Sequence, residues 1–180
     1  MVDKSDKETA RLFFALWPDG KTRGVLDQAA ARLHRRCGGK QTRAETLHLT
    51  LVFLGETPLS RIGSLLEAAG KVRAPAFSMS LTRLGWWRHN RIAWAMAEAV
   101  PAELAALVGQ LRVHLDSAGI SFDTKPHVPH VTLLRKAHCS EEAFPPLEVE
   151  WRAREFVLVR SVLSAAGAAY EVVGRWELQR

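Results

Sequence analysis

With 180 residues, of which 47% are hydrophobic and 24% charged, the chain is long enough for one domain with a sizeable core, and wholesale disorder and collagen-like repetition are excluded. The formal net charge of +6 is uneven, because residues 1–90 carry 15 basic and 8 acidic side chains, whereas residues 91–180 carry 10 and 11. A basic half of this kind favours a polyanionic partner such as RNA, DNA or a phosphorylated metabolite, although the same excess can serve solubility alone.

In the first half, the apolar pattern predicts alternating strands and helices. Residues 1–10 are charged and are expected to form a flexible tail, and the aromatic-rich apolar run 12–17 predicts a buried strand. Pro18 ends this strand and suits the first turn of a helix over 19–37, since its missing N–H costs nothing there. The pattern then predicts a strand over 47–54, a second helix over 58–73, and strands over 76–85 and 91–97.

The second half repeats this order. The strand over 92–97 meets Pro101, which opens a helix over 103–118 that ends at Gly119. A strand over 128–134 follows. Two further strands, about 153–163 and 169–178, joined by a turn at Gly167, close the chain.

The two halves share an internal repeat. Pro18 and His48 are separated by 30 residues, and Pro101 and His130 by 29. In each half the order is strand, proline, helix, and a strand that carries His-x-Thr. This agreement predicts a duplicated unit and pseudo-twofold symmetry. Since no linker separates the halves, residues 11–180 are expected to form one two-lobed domain.

The repeated motif carries chemistry. His48 and Thr50, and likewise His130 and Thr132, are two residues apart on a predicted strand, so each pair shares one face, and a twofold relation would bring both pairs to one cleft. One imidazole can take a proton from an attacking oxygen while the other, protonated, donates to the leaving oxygen of a phosphodiester. The hydroxyls can donate to phosphate oxygens, and Arg135 at the strand's end can add a charge-assisted contact. This arrangement requires no metal.

A zinc site built from His48, His127 and His130 is the competing hypothesis. His127-x-x-His130 offers two nitrogen ligands, but a proline interrupts the pair, and no Asp, Glu or Cys lies at a familiar ligand spacing.

The cysteines and the N-terminus bear on location. Cys37 and Cys139 are too few for a disulfide framework or a four-thiolate metal site, and we interpret both as incidental. The start of the chain lacks the apolar core of a signal peptide, and no uncharged apolar run reaches about 18 residues. We therefore expect a monomeric cytoplasmic protein that does not span a membrane.

The two motifs also carry a family resemblance. The run His48–Gly55 resembles the first signature of the 2H phosphoesterase superfamily, and Pro129–Arg135 resembles the second. More closely, the chain resembles the bacterial and archaeal RNA 2′,3′-cyclic phosphodiesterases, historically called 2′-5′ RNA ligases. Further landmarks that fit this family are Arg11–Ala15, Ser161–Leu163, Gly167, Tyr170 and Trp176–Leu178, so the resemblance covers about residues 11–178. His127 departs from the pattern, since the family often has an aromatic residue there.

The resemblance implies an α+β fold in which two lobes of antiparallel sheet, related by a pseudo-twofold axis and flanked by helices, enclose a central cleft. It implies opening of a 2′,3′-cyclic phosphate at an RNA 3′ end to a 2′-phosphate, with weak 2′-5′ joining in some relatives, and it implies no cofactor. Carried over by motif, His48 is the proton donor, His130 is the proton acceptor, and Thr50, Thr132 and Arg135 hold the phosphate.

Residues that contact the rest of an RNA are harder to predict from the sequence than the two His-x-Thr motifs. A basic cluster surrounds the end of the first predicted helix: Arg32, Arg35, Arg36, Lys40 and Arg43. Aromatic candidates for stacking on a terminal base are Phe13, Phe14, Trp17, Trp86 and Trp87. From these sets we expect Phe14, Trp17 and Arg43 to contact RNA, with core packing and a solvated helix face as the alternatives.

Two other functions stay open at this stage. One is a non-catalytic RNA-binding module in which the histidines are relics, although two complete His-x-Thr pairs argue against it. The other is a cyclic phosphodiesterase that acts on a small nucleotide, since the basic surface only hints at a polymer.

Overall fold

Strands with alternating burial build one antiparallel sheet, on which the helices pack. The computed structural model describes residues 8–140, 144–164 and 167–179. Within these residues the strands are β1 (Thr9–Leu16), β2 (Lys40–Gln41), β3 (Leu49–Pro58), β4 (Phe77–Trp87), β5 (Ile92–Ala97), β6 (Val131–Arg135), β7 (Val149–Ala153), β8 (Glu155–Ser164) and β9 (Gly167–Glu177). The α-helices of the same residues are α1 (Gly20–Cys37), α2 (Ile62–Gly70) and α3 (Ala102–Ser117).

The order of the strands is symmetrical about the middle of the sheet. It runs β7-β4-β5-β6-β3-β1-β8-β9, and the short β2 pairs with the far end of β6. Each half therefore has two inner strands that flank a helix in sequence, β1-α1-β3 and β5-α3-β6, and two outer strands. The α+β fold with two related lobes is confirmed, and the two lobes share one continuous sheet.

Within the described residues, the two halves of the sheet are joined by one pair of strand residues. Leu49 of β3 lies opposite Val131 of β6 in antiparallel register. Both side chains are buried on the helix side of the sheet. Helix α1 crosses the junction to pack on β6 and β7, and α3 packs on β3, so each helix covers part of the other half.

Local sequence explains how α1 begins and ends. The carboxylate of Asp19 accepts the backbone N–H of Thr22 at 2.8 Å and caps the helix, and Gly38 follows its last residue with a φ of 60°. Leu26, Ala30 and Leu33 form its buried face. Pro18 therefore lies one residue before the cap, not in the first turn as the sequence predicts.

The apolar side chains separate into two clusters on the two faces of the sheet. The main core lies between the sheet and the helices and includes Leu12, Phe14 and Leu16 of β1. The alternate residues of the same strand, Phe13 and Ala15, join β8 residues in a smaller cluster on the opposite face. Strand β1 is thus buried on both faces, as its apolar run predicts.

Several predicted boundaries shift. The helix predicted over 58–73 is a 3₁₀ turn over 59–61 followed by α2, and the short β2 and the strand β7 were not predicted. Strands β3 and β6 begin one residue after His48 and His130, whereas the sequence places both histidines inside the strands. Of the predicted tail, residues 1–7 lie outside the described residues and Thr9 already belongs to β1. The turn expected at Gly167 falls beside residues 165 and 166, which also lie outside them.

The interpretation of the cysteines as incidental is wrong. Cys37 at the end of α1 and Cys139 after β6 form a disulfide across 102 residues of sequence. The backbone N–H of His138 also donates to the carbonyl of Cys37 at 2.9 Å. No sequence pattern predicts this pairing, because only the packing of α1 on β6 brings the two cysteines together. In the described residues, no helix has the length and apolarity needed to cross a membrane.

We expect the disulfide to stabilise the fold through the long loop it closes. Reduction, or the double replacement Cys37→Ser/Cys139→Ser, should lower the free energy of unfolding by about 2–4 kcal/mol. Urea titrations of the oxidised, reduced and double-serine proteins measure this change. Reductant should have no further effect on the double-serine protein, and a wild type that loses no stability on reduction would contradict the expectation.

Candidate active site

All five residues predicted to act on a phosphate line one cleft. The cleft has a volume of about 660 Å³ and opens on the face of the sheet opposite the helices, a volume typical of sites for small ligands. Its lining includes the five predicted residues: His48, Thr50, His130, Thr132 and Arg135. The sequence prediction that the two motifs converge is therefore confirmed by their placement.

The central strand pair brings the motifs together. Leu49 and Val131 each stand between the histidine and the threonine of their own motif, and they are the residues that pair across β3 and β6. Because both turn into the core, their sequence neighbours turn towards the cleft. Antiparallel register then places each histidine beside the threonine of the other motif.

The two histidines are held by equivalent hydrogen bonds. Nδ1 of His48 lies 2.7 Å from the carbonyl oxygen of Thr46, and Nδ1 of His130 lies 2.8 Å from that of Val128. A carbonyl oxygen only accepts, so in both rings Nδ1 carries the hydrogen and donates. Nε2 of each ring is then the nitrogen available for chemistry, and the shared contact to the residue two positions earlier supports the duplication.

The surroundings of the two rings differ. Trp17 stacks on His48 with ring centroids 5.4 Å apart, while Phe13 and Tyr170 contact it at 4.9 and 5.4 Å. His130 contacts one aromatic ring among the described residues, that of Trp87, with the two rings nearly perpendicular and their centroids 4.7 Å apart. His48 is therefore enclosed by aromatic rings on several sides.

This environment sets the charge of both histidines. Burial lowers the pKa of His48 from 6.5 to about 4, and the positive charges of Arg135 and His130 act in the same direction against the bond to Thr46, which raises it. Burial likewise lowers the pKa of His130. An anion in the cleft would raise both pKa values, because it favours the protonated rings.

Arg135 is one of three arginines that line the cleft, together with Arg11 and Arg160. It ends β6 with an exposed side chain, and no described carboxylate lies within ion-pair distance of it. Its charge lowers the pKa of both histidines. An unpaired guanidinium beside two neutral imidazoles and two hydroxyls suits a phosphate group.

Of the three expected RNA contacts, the structure contradicts Phe14, while contacts at Trp17 and Arg43 stay predictions. Phe14 is completely buried in the main core against Phe156 and Trp176, because β1 turns Phe13, not Phe14, towards the cleft. Trp17 supports the ring of His48 and is absent from the lining of the cleft. Arg43 forms an ion pair with Glu45 at 3.4 Å and does not line the cleft either.

No sequence pattern placed Tyr170 or Trp87 beside the two histidines. Tyr170 lies on β9, 122 residues after His48, and lines the cleft beside it. Its one signal in the sequence was its place among the landmarks of the family resemblance. Trp87 was named only as a stacking candidate, and its contact with His130 depends on the pairing of β5 with β6.

His127 holds the loop before the second motif against β3. Its Nε2 donates to the carbonyl oxygen of Thr50 at 2.8 Å, and the backbone N–H of Asp123 donates to the carbonyl of Phe53 at 2.8 Å. Both acceptors lie on the stretch of β3 beyond its pairing with β6. This engagement of Nε2 disfavours the zinc hypothesis, and no group of three metal-ligating side chains occurs in the described residues.

Comparison with known proteins agrees with the geometry. The model of the LigT-like phosphoesterase family matches residues 16–94 and 95–170, one match for each half. The chain is 32% identical over 173 residues to the RNA 2′,3′-cyclic phosphodiesterase of Escherichia coli, covering 95% of this chain and 98% of that one. It is 30% identical over 185 residues to the enzyme of the same name from Thermus thermophilus, covering 94% and 90%.

Solved structures show the same relationship. A crystal structure of E. coli LigT complexed with 3′-AMP superposes with a TM-score of 0.87 at 31% identity, covering 96% of this chain and 100% of that one. A Thermus thermophilus crystal structure gives a TM-score of 0.79 at 31% identity, covering 94% and 98%.

We expect the bond from His127 to stabilise the junction between the motifs. His127→Phe keeps a flat ring but leaves the Thr50 carbonyl without its donor, which should lower the free energy of unfolding by about 1 kcal/mol. His127→Gln, whose side-chain N–H can reach the same oxygen, is the matched control and should lose less. Urea titrations of the three proteins measure the difference, and equal losses in both variants would show that the bond is not the source.

Proposed function

Because the chain belongs to the LigT-like phosphoesterase family, we propose that it hydrolyses the 2′,3′-cyclic phosphate at an RNA 3′ end to a 2′-phosphate by two-histidine acid–base catalysis. The observation that carries the proposal is the equivalent pair of imidazoles in one cleft, each with Nδ1 bonded to a carbonyl and Nε2 left for proton transfer. The shared activity of the named relatives supports the choice of substrate.

Two side chains carry out both proton transfers of the proposed reaction. Nε2 of His130 takes a proton from water as the water oxygen attacks phosphorus. The bond from phosphorus to the 3′-oxygen breaks, and protonated Nε2 of His48 donates to that oxygen. The products are a 2′-phosphate and a free 3′-hydroxyl. An RNA 5′-hydroxyl in place of water would give a 2′-5′ linkage by the same two proton transfers.

The remaining residues hold the phosphate. Thr50 and Thr132 donate hydroxyl hydrogens to its non-bridging oxygens, and Arg135 adds a charge-assisted contact. The proposal therefore includes no metal and no cofactor. It takes a single chain as the active unit, because all five residues that are assigned a role line one cleft of the same chain.

The assignment of donor and acceptor rests on the family resemblance. The low pKa of His48 keeps its ring neutral in the free protein at neutral pH, so the proposal requires the bound phosphate anion to raise that pKa and favour the protonated donor. We propose the cytoplasm as the location, as expected from the sequence. The disulfide between Cys37 and Cys139 is unusual for that compartment, because the cytosol keeps most thiols reduced.

The product formed from a defined RNA tests the function. An oligonucleotide with a 2′,3′-cyclic phosphate end should yield a 2′-phosphate in the presence of a chelator. His48→Ala and His130→Ala should each lower turnover by about 10²–10⁴-fold with the fold intact. His34→Ala, on the exposed side of α1, is the control and should leave turnover unchanged. A 3′-phosphate product, or near-normal turnover in either cleft variant, would contradict the mechanism.

The lowered pKa values predict where activity lies on the pH scale. Catalysis needs one ring protonated and one neutral, and burial lowers both pKa values below 6.5, so in the free protein this state is most populated below pH 6.5. The profile of kcat/KM, which reports the free protein, should be bell-shaped with its maximum on that acid side. The profile of kcat should lie at higher pH, because the bound anion raises both pKa values.

The variants then assign each limb of the profile. Loss of the donor should remove the alkaline limb from the residual activity, and loss of the acceptor should remove the acid limb. If His48→Ala instead removes the acid limb, the two roles are reversed. A flat kcat/KM profile through neutral pH would exclude catalysis by the two histidines.

A further inference from the structure

Four exposed basic residues lie on neighbouring segments at the end of β6, and one of them, Arg135, lines the cleft and is assigned to the phosphate in the proposed function. We name them the basic ridge: Lys40, Arg91, Arg135 and Lys136. Lys40 of β2 lies directly opposite Arg135 of β6 in antiparallel register, so their side chains share the face on which the cleft opens. The Arg91 guanidinium donates to the Lys136 carbonyl at 3.1 Å, and the Ala137 N–H donates to the Arg91 carbonyl at 2.9 Å.

The charges of the ridge are uncompensated. All four side chains are exposed, and none of them forms an ion pair with a carboxylate in the part of the chain that the structure describes. Four neighbouring positive charges repel one another, so the arrangement raises the energy of the free protein and favours a polyanion.

Backbone strain marks two of these positions. Arg91 has a φ of 58° and Lys136 a φ of 55°, and they are the non-glycine residues with positive φ in the described chain. Glycine adopts this conformation at lower cost, so backbone geometry does not explain why both positions carry long basic side chains. Strained positions of this kind often belong to functional sites.

The ridge rests on a rigid base. Gly39, with a φ of 82°, lies so close to β6 that a Cβ there would be 2.6 Å from the carbonyl oxygen of Arg135. The disulfide from Cys37 to Cys139 ties together the two segments that carry Lys40 and Lys136. The backbone segments that carry these side chains are therefore held in fixed positions relative to one another.

We propose that the basic ridge binds the RNA phosphates upstream of the terminal cyclic phosphate, so that this protein prefers a polynucleotide to a single nucleotide. The inference rests on the proposed function and names the substrate class of the same site. Arg135 lies three residues along β6 from Thr132, about 10 Å at the rise of a strand. The ridge begins there and continues outwards, as a strand leading away from the cleft requires.

The test compares two substrates and two variants. The ridge variant is Lys40→Ala/Arg91→Gly/Lys136→Gly, which leaves the five cleft residues unchanged and relieves the strain at two positions. The control variant, Lys21→Ala/Arg152→Ala/Arg154→Ala, removes the same charge from exposed positions that do not line the cleft. Each protein is assayed with a ten-nucleotide RNA that ends in a 2′,3′-cyclic phosphate and with a nucleoside 2′,3′-cyclic phosphate.

The ridge variant should lose about tenfold or more in kcat/KM on the oligonucleotide and change little on the nucleoside. The dependence of log(kcat/KM) on log[salt] for the oligonucleotide should become shallower by roughly 2, from three lost phosphate contacts. Equal losses on both substrates, no loss on the oligonucleotide, or an equal loss in the control variant would overturn the proposal. Urea titration should find the ridge variant folded with stability near that of the wild type.

Failure of the proposed function would be visible separately. If the wild type cleaves neither substrate, fluorescence anisotropy with the same oligonucleotide still tests the ridge. Tighter binding by the wild type than by the ridge variant would support it, and equal binding would overturn it.

Discussion

The pairing of Leu49 with Val131 is the contact on which the site depends. It joins the two halves of the sheet at the one place where each half carries a histidine and a threonine on either side of a buried residue. The apolar side chains fix which face is buried, so both motifs must turn towards the other face. A shift of register by one residue would bury the histidines and expose their neighbours, and the same apolar pair opposes that shift.

The surroundings of His48 and His130 differ, although the pairing at the centre of the sheet is symmetrical. This difference gives the two imidazoles different pKa values. The hydrogen bonds from Nδ1 are the same in both motifs. The aromatic shell is not, since Phe13, Trp17 and Tyr170 surround His48, whose burial lowers its pKa to about 4. A duplicated unit thus supplies two equivalent imidazoles, and the aromatic residues around His48 make their environments unequal.

The second motif is held from both of its ends. Ahead of it, His127 binds the carbonyl of Thr50, and behind it the disulfide and the close approach of Gly39 fix the segment after Arg135. These contacts connect the site to α1 and to the exposed positive charges beside it. Positioning of the phosphate and guidance of a longer RNA would therefore depend on the same rigid segment.

The sequence by itself determined most of the helices and strands in their order, the duplicated unit and the candidate residues of the site, because alternation, proline position and the spacing of His-x-Thr are local properties. It also determined that His48, Thr50, His130 and Thr132 share a face within each pair. It could not determine that Phe14 faces the core while Phe13 faces the cleft, since β1 is apolar on both sides. The disulfide, the bond from His127 to β3, the contacts of Tyr170 and Trp87 and the basic ridge were decided only by the tertiary structure. Each of them joins segments that are far apart in sequence, and only the closing of the sheet at Leu49 and Val131 brings those segments within reach of one another.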